Sequence, residues 1–269
     1  MSQITTHFGL SEIPFTKEIR QGDEFESESL ATLKVRLNFL LAHKGIGLVS
    51  GRPGSGKTTF VRTFVSGLNP GLYKVIYLHH ANFSACEFYR DLAWGLGLTP
   101  KIRRSDLCRQ IAASITDTYK TKKLTPLLIV DEAQMLNREI IDELLLITNY
   151  EMDSHDYIVL LLVGQQAFEA TLSLSDNEAL LQRIVVRAFL NPMSKDETKS
   201  YIDAHVSRVG CTRTLFDKSA IETIYQTAKG NMRRTNRVCL LGLETAMLTK
   251  DKIVTSDHIV TGATSHTLV

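Results

Sequence analysis

Gly47-Leu48-Val49-Ser50-Gly51-Arg52-Pro53-Gly54-Ser55-Gly56-Lys57-Thr58-Thr59 decides the fold. Its first residues read as a short buried strand, its Gly-rich middle as a loop, and Lys57 onward as the start of a helix. The spacing from Gly51 to Thr58 fits G-x-x-x-x-G-K-[ST], a P-loop. Glycines at 51, 54 and 56 let the backbone curl with its N–H groups inward, making an anion cradle at a helix N-terminus. Pro53, Ser55 and Thr59 complete the expected cradle. Lys57 is expected to reach the β- and γ-phosphates of ATP, and the Thr58 hydroxyl to ligate Mg²⁺. A chance Gly/Pro turn would not also bring strand, loop and helix in the order this chemistry needs.

A second stretch completes the site. Leu127-Leu128-Ile129-Val130-Asp131-Glu132 is an apolar run ending in two carboxylates. Strands buried on both faces of a parallel sheet read as continuous apolar runs, and ligands of such sheets sit at the strands' carboxyl ends. Asp131 is expected to hold Mg²⁺ through water, and Glu132 to polarise the water that attacks the γ-phosphate.

The chain has 269 residues, 43% hydrophobic, enough for one large domain or two modest ones. A formal charge of +2 does not announce nucleic acid, so any such binding face must be a local patch. Cys86, Cys108, Cys211 and Cys239 are scattered without a C-x-x-C pair, which suits reduced core cysteines rather than a metal site or disulfide frame. The sequence shows no signal peptide and no spanning segment, so a cytoplasmic location away from membranes is expected.

Met1 to Gly22 has little periodicity. Its aromatics, in His7-Phe8-Gly9-Leu10 and Ile13-Pro14-Phe15, suit an arm packed on the body near the adenine or laid on a neighbouring subunit. Leu30, Leu33, Leu37, Leu40 and Leu41 form a helical stripe over 27–43. A second strand over 74–78 leads into His79-His80-Ala81-Asn82, where Asn82 or either His is placed to contact Glu132 and hold it inactive. Ser84 with Glu87 reads as a capping box. Thr99 to Asp106 is a basic loop, with Ser105 expected to cap the next helix. Its Lys101, Arg103 and Arg104 suit either a solvated face or sequence-independent grip on a DNA backbone. A buried strand over 157–163 ends at Gln165, which is placed to hydrogen-bond the attacking water or the γ-phosphate. Asn191-Pro192 marks a boundary. Beyond it lie helices opened by Ser194 with Glu197, by Asp217 and near Arg233. The expected layout is an arm over 1–26, an α/β body over 27–190 and a helical domain over 191–269.

Together the P-loop, Asp131–Glu132, Leu162-Val163-Gly164-Gln165, Gln182-Arg183-Ile184 and Gly230-Asn231-Met232-Arg233-Arg234 resemble AAA+ ATPases of the ExeA/GspA and TnsC/MuB/IstB kind. The resemblance covers nearly the whole chain. It implies an α/β P-loop NTPase parallel-sheet sandwich with a small C-terminal helical lid, and nucleotide between subunits of a homo-oligomeric ring or filament. Arg183 then resembles the arginine finger that reaches a neighbour's γ-phosphate, with Arg187 a second candidate, and Arg233 resembles the lid's sensor arginine. ExeA-like proteins have Pro where Met232 stands, and they continue into a membrane span and a cell-wall-binding region. The end of this chain at Val269 favours the transposition-regulator branch, which assembles on double-stranded DNA with ATP and recruits or activates a transposase. In that branch a DNA-contacting loop falls in the interval of Thr99 to Asp106. An ExeA-like secretion or envelope ATPase is the alternative, and a small P-loop kinase a third reading.

Overall fold

A computed structural model describes residues 3–16, 25, 27–79, 84–151, 154–174 and 177–265. The chain divides into two compact units. One comprises Ser29–Pro53 and Lys57–Leu190. The other comprises Met1–Glu28, Gly54–Gly56 and Asn191–Val269.

The first unit is built on a parallel five-stranded sheet among the described residues: β1 (Gly45–Gly51), β2 (Tyr73–Leu78), β3 (Thr125–Val130), β4 (Val159–Gln165) and β5 (Ile184–Leu190). Their spatial order is β2-β3-β4-β1-β5. Period-two alternation sends Leu128, Val130, Leu160 and Leu162 to one face and Leu127, Ile129, Leu161 and Val163 to the other. Both faces are covered, so the strands carry hardly any polar residue. Before β1 comes α2 (Glu28–His43), whose leucine stripe covers one face together with Val61 of α3 (Lys57–Ser66). The opposite face is covered by α4 (Ala85–Gly95), α5 (Arg104–Lys120) and α6 (Arg138–Thr148). Two short helices the sequence pattern did not resolve from their surroundings, α7 (Ala167–Leu172) and α8 (Glu178–Arg183), lead into β5.

The second unit is helical. It packs α9 (Lys195–Arg208), α10 (Lys218–Ala228), α11 (Met232–Leu248) and α12 (Ser256–Ser265) around Ile202, Ile224, Val238, Leu243 and Ile259. The capping box of Ser194 with Glu197 and the Asp217 cap both form. The N-terminal segment joins this core. A short helix α1 (Gln3–Phe8) precedes Phe8, Leu10 and Phe15, and all three are buried there. The expectation of an arm laid on the α/β body or on a neighbouring subunit is therefore corrected. These aromatics are core residues of the helical unit. Phe15 takes φ 60°, left-handed backbone that a bulky residue rarely adopts. Burial offsets the strain: its ring stacks on His205 at 5.1 Å and meets Phe216 edge-on at 5.9 Å.

All four cysteines are free thiols. No helix among the described residues is long and apolar enough to cross a membrane.

Candidate nucleotide site

The carboxyl ends of β1, β3 and β4 converge because the strands run parallel and in register. Gly51 at the end of β1 stands opposite Gln165 at the end of β4, and Val130 at the end of β3 stands opposite Leu162. Asp131 leaves β3 still tied to the sheet, its N–H donating to Leu78 O of β2 (2.9 Å).

Asp131 is buried and fully engaged. Its Oδ2 accepts from Thr58 Oγ1 of α3 at 2.9 Å and from the Tyr77 hydroxyl of β2 at 2.8 Å, while Oδ1 accepts the Glu132 N–H at 2.8 Å. The structure thus brings the predicted pair Thr58 and Asp131 together and adds Tyr77, which sequence reading missed. Burial, then the hydrogen bond to Asp131, raises the Tyr77 hydroxyl well above its ordinary pKa, so it is a proton donor at every physiological pH. Only its alternation within β2 hinted that it would share an end with Asp131.

Lys57 opens α3, and its Nζ donates to Gly51 O at 3.0 Å and Arg52 O at 3.1 Å. The ammonium therefore lies along the loop it was predicted to serve. Ser50, buried just before the loop, donates to Glu169 of α7. Glu132 has φ 52° and ψ 40°. In this left-handed turn its side chain accepts from Gln134 Nε2 at 2.5 Å. His80 and Asn82, expected as its partners, lie outside the described residues; His79 stacks on Tyr77 at 6.2 Å.

In the helical unit, Gly54 and Gly56 have φ of +77° and +95°. A Cβ at Gly54 would stand 2.7 Å from Asn231 Oδ1, and one at Gly56 2.5 Å from Met232 Sδ, so only glycine fits. Arg233 N donates to Gly54 O at 3.1 Å, bringing together two residues predicted for nucleotide. Asn231 caps α11 by accepting the Arg234 N–H at 3.1 Å, which puts Met232 at the first helical position. That position tolerates proline but does not need it. The Ser55 hydroxyl is buried with no partner among the described residues.

Arg183 ends α8. Arg187, exposed on edge strand β5, turns its guanidinium onto Leu181 O at 2.8 Å. The basic loop divides. Lys101 and Arg103 have no ion-pair partner among the described residues, and Ile102 between them is 87% exposed. Arg104 is the first residue of α5 and is engaged within the chain. It pairs with Glu143, a buried carboxylate of α6 that also accepts the Tyr89 hydroxyl, and lies 3.6 Å from Glu139. Arg104, predicted for DNA, is thus tied to two carboxylates while its side chain stays half-exposed. Ser105 does not cap α5 either; the N-cap is Arg103, with no side-chain bond.

A Gly-rich loop closing β1, an Asp–Glu pair closing β3, and a polar residue closing the strand between them make the arrangement of a P-loop nucleotide-binding fold. The comparisons agree. Residues 40–172 match the AAA domain family model. General secretion pathway protein A of Aeromonas hydrophila is 28% identical over 246 residues, 87% of this chain. The chain spans only 43% of that relative, so where it ends does not separate the two branches of the resemblance. Cdc6p of Pyrobaculum aerophilum superimposes over 97% of this chain and 70% of its own, with a TM-score of 0.69 at 15% identity. The Aeropyrum pernix ORC1 protein, solved in complex with DNA, covers 98% of this chain and 68% of its own, with a TM-score of 0.64 at 13% identity.

Proposed function

We propose that this protein hydrolyses ATP at the β1–β3–β4 end of its sheet and uses the nucleotide to assemble copies of itself on double-stranded DNA. The observation that carries the ATPase reading is the pairing of Thr58 with Asp131 across 73 positions of sequence, beside Glu132. The loop N–H groups and Lys57 bind the triphosphate. The oxygens of Thr58 and Asp131 fit a hard divalent cation such as Mg²⁺, which would neutralise phosphate charge when bound. Glu132 takes a proton from the attacking water, and Gln165 orients that water or the γ-phosphate. By the resemblance, Arg233 acts on nucleotide in its own subunit and Arg183 reaches a neighbour's phosphate, with Arg187, whose guanidinium donates to Leu181 O, the second candidate.

Two observations support the DNA reading. Lys101 and Arg103 are exposed without an ion-pair partner among the described residues, and two fold relatives were solved with DNA. Recruitment of a transposase is the finer form of this reading and rests on the family resemblance alone. A second reading, a secretion-linked ATPase, is favoured by the 28% identity to general secretion pathway protein A.

ATP turnover and particle size, measured with and without duplex DNA, separate the two. The first reading expects both to rise with DNA; indifference to duplex rejects it. Glu132→Gln is expected to bind ATP, lose turnover by about 10²–10⁴-fold, and freeze the assembled state. Arg183→Ala is expected to bind a first ATP yet fail to assemble.

A further inference from the structure

Gln134 lies two residues past Glu132, in the 3-10 turn over Ala133–Met135. Both ends of its amide are used. Oε1 accepts the backbone N–H of Gln165 at 2.9 Å, and Nε2 donates to Glu132 Oε2 at 2.5 Å. The close fit depends on Gly164. A Cβ there would stand 3.2 Å from Gln134 Oε1 and 3.3 Å from the Ala133 Cβ, tighter than ordinary contact. It also depends on the left-handed backbone of Glu132, an unfavourable conformation for a residue with a side chain. Such strain persists where the surroundings over-determine it. Here they do so through Asp131, which accepts the Glu132 N–H, and through Gln134.

We propose that Gln134 is the positioning residue for Glu132, joining its carboxylate to the end of β4. The inference rests on the reading of Glu132 as the base. With Oε2 held by the amide, Oε1 is the oxygen that takes the proton from water. The hydroxide oxygen bonds to the γ-phosphorus, the bond from that phosphorus to the β–γ bridging oxygen breaks, and ADP leaves with the electron pair. A neutral amide suits this work: it fixes a direction without adding charge. The tie to the Gln165 N–H makes Gln165 and Glu132 move as one group, so a γ-phosphate felt at the end of β4 is felt by the base.

The test is a set of variants of the full chain, read by turnover, by binding of a fluorescent ADP analogue and by hydrogen exchange. Gln134→Ala is expected to lower kcat about 10- to 100-fold, part of the about 10²–10⁴-fold that a positioned base contributes. Its affinity for the analogue should be unchanged, and the Gln165 amide should exchange faster. Gln134→His keeps an N–H donor and should recover part of the rate. A rescue by Gln134→His is what a purely structural role would not give. Parental kcat in Gln134→Ala, no recovery in Gln134→His, or analogue binding lost in step with kcat overturns the inference. Glu132→Gln separates the two readings. Normal turnover in that variant removes Glu132 as base, whereas a dead Glu132→Gln beside a normal Gln134→Ala removes the role of Gln134 alone.

Discussion

The α/β unit and the helical unit reach stability by opposite routes. In the α/β unit each strand is a short apolar run whose neighbours are set by parallel register, and the chemistry hangs on the residues just past the strand ends. The helical unit has no such local logic. Its core joins Phe8, Leu10 and Phe15 to residues about two hundred positions away. Further links tie the same ends together: Arg213 donates to Phe8 O at 2.7 Å and Lys252 to His7 O at 2.6 Å. A function carried by strand ends tolerates changes in distant helices, whereas a core built from both chain ends does not tolerate loss of either.

The largest expected effect tests that dependence. Phe15→Ala removes a buried aromatic held in strained backbone and should destabilise the helical unit by about 3–5 kcal/mol. Urea unfolding followed in both units checks it. An equal loss in the α/β unit would break the contrast.

Next comes pH. Burial, then the charge of Arg208, pushes His205 down to about 4, against an ordinary value of 6.5. The unfolded chain therefore binds a proton that the folded chain refuses between those values. Stability is fully present above about pH 6.5 and falls as pH drops toward 4, by about 3 kcal/mol in all. His205→Phe should flatten that slope in a series of melts. An unchanged slope would place the acid sensitivity elsewhere.

The smallest effects sharpen the reading of the basic loop. Arg104→Ala strands the buried Glu143 carboxylate and should lower the melting temperature of the α/β unit by several degrees. Arg103→Ala should leave the melt unchanged. Lys101→Ala with Arg103→Ala should instead weaken duplex binding for all sequences alike and reduce its salt slope by about 2. A full salt slope in that double variant would move the DNA surface away from this loop.

Much of the site could be read from the sequence. The strand–loop–helix signature from Gly47 to Thr59 and the pair Asp131–Glu132 needed no partner to be recognised, and the capping boxes at Ser84 and Ser194 are closed within four residues. The helix expected over 27–43 and those opened by Ser194, by Asp217 and near Arg233 start within a residue or two of those positions. Other features were not legible for a common reason. Arg104 looked like Lys101 and Arg103, because a sequence does not show that Glu143 is buried opposite it. The N-terminal segment looked like an arm packed on the body or on a neighbour, because its apolar residues lack the period of a strand or a long helix. Short helices such as α7 offered too few turns for periodicity to register.

Residue order along the chain was enough to specify the sheet's apolar strands, the anion cradle and the carboxylates beside it, because each is a pattern of near neighbours whose local conformation follows from residue type. Which donors hold those carboxylates was set by packing in three dimensions. Tyr77 meets Asp131 from 54 positions away, and Gln134 reaches Gln165 across 31. Packing also decided that the first residues complete a core formed by the last. Such contacts depend on strand order and packing, which bring distant residues within hydrogen-bond reach and leave no periodic trace along the chain.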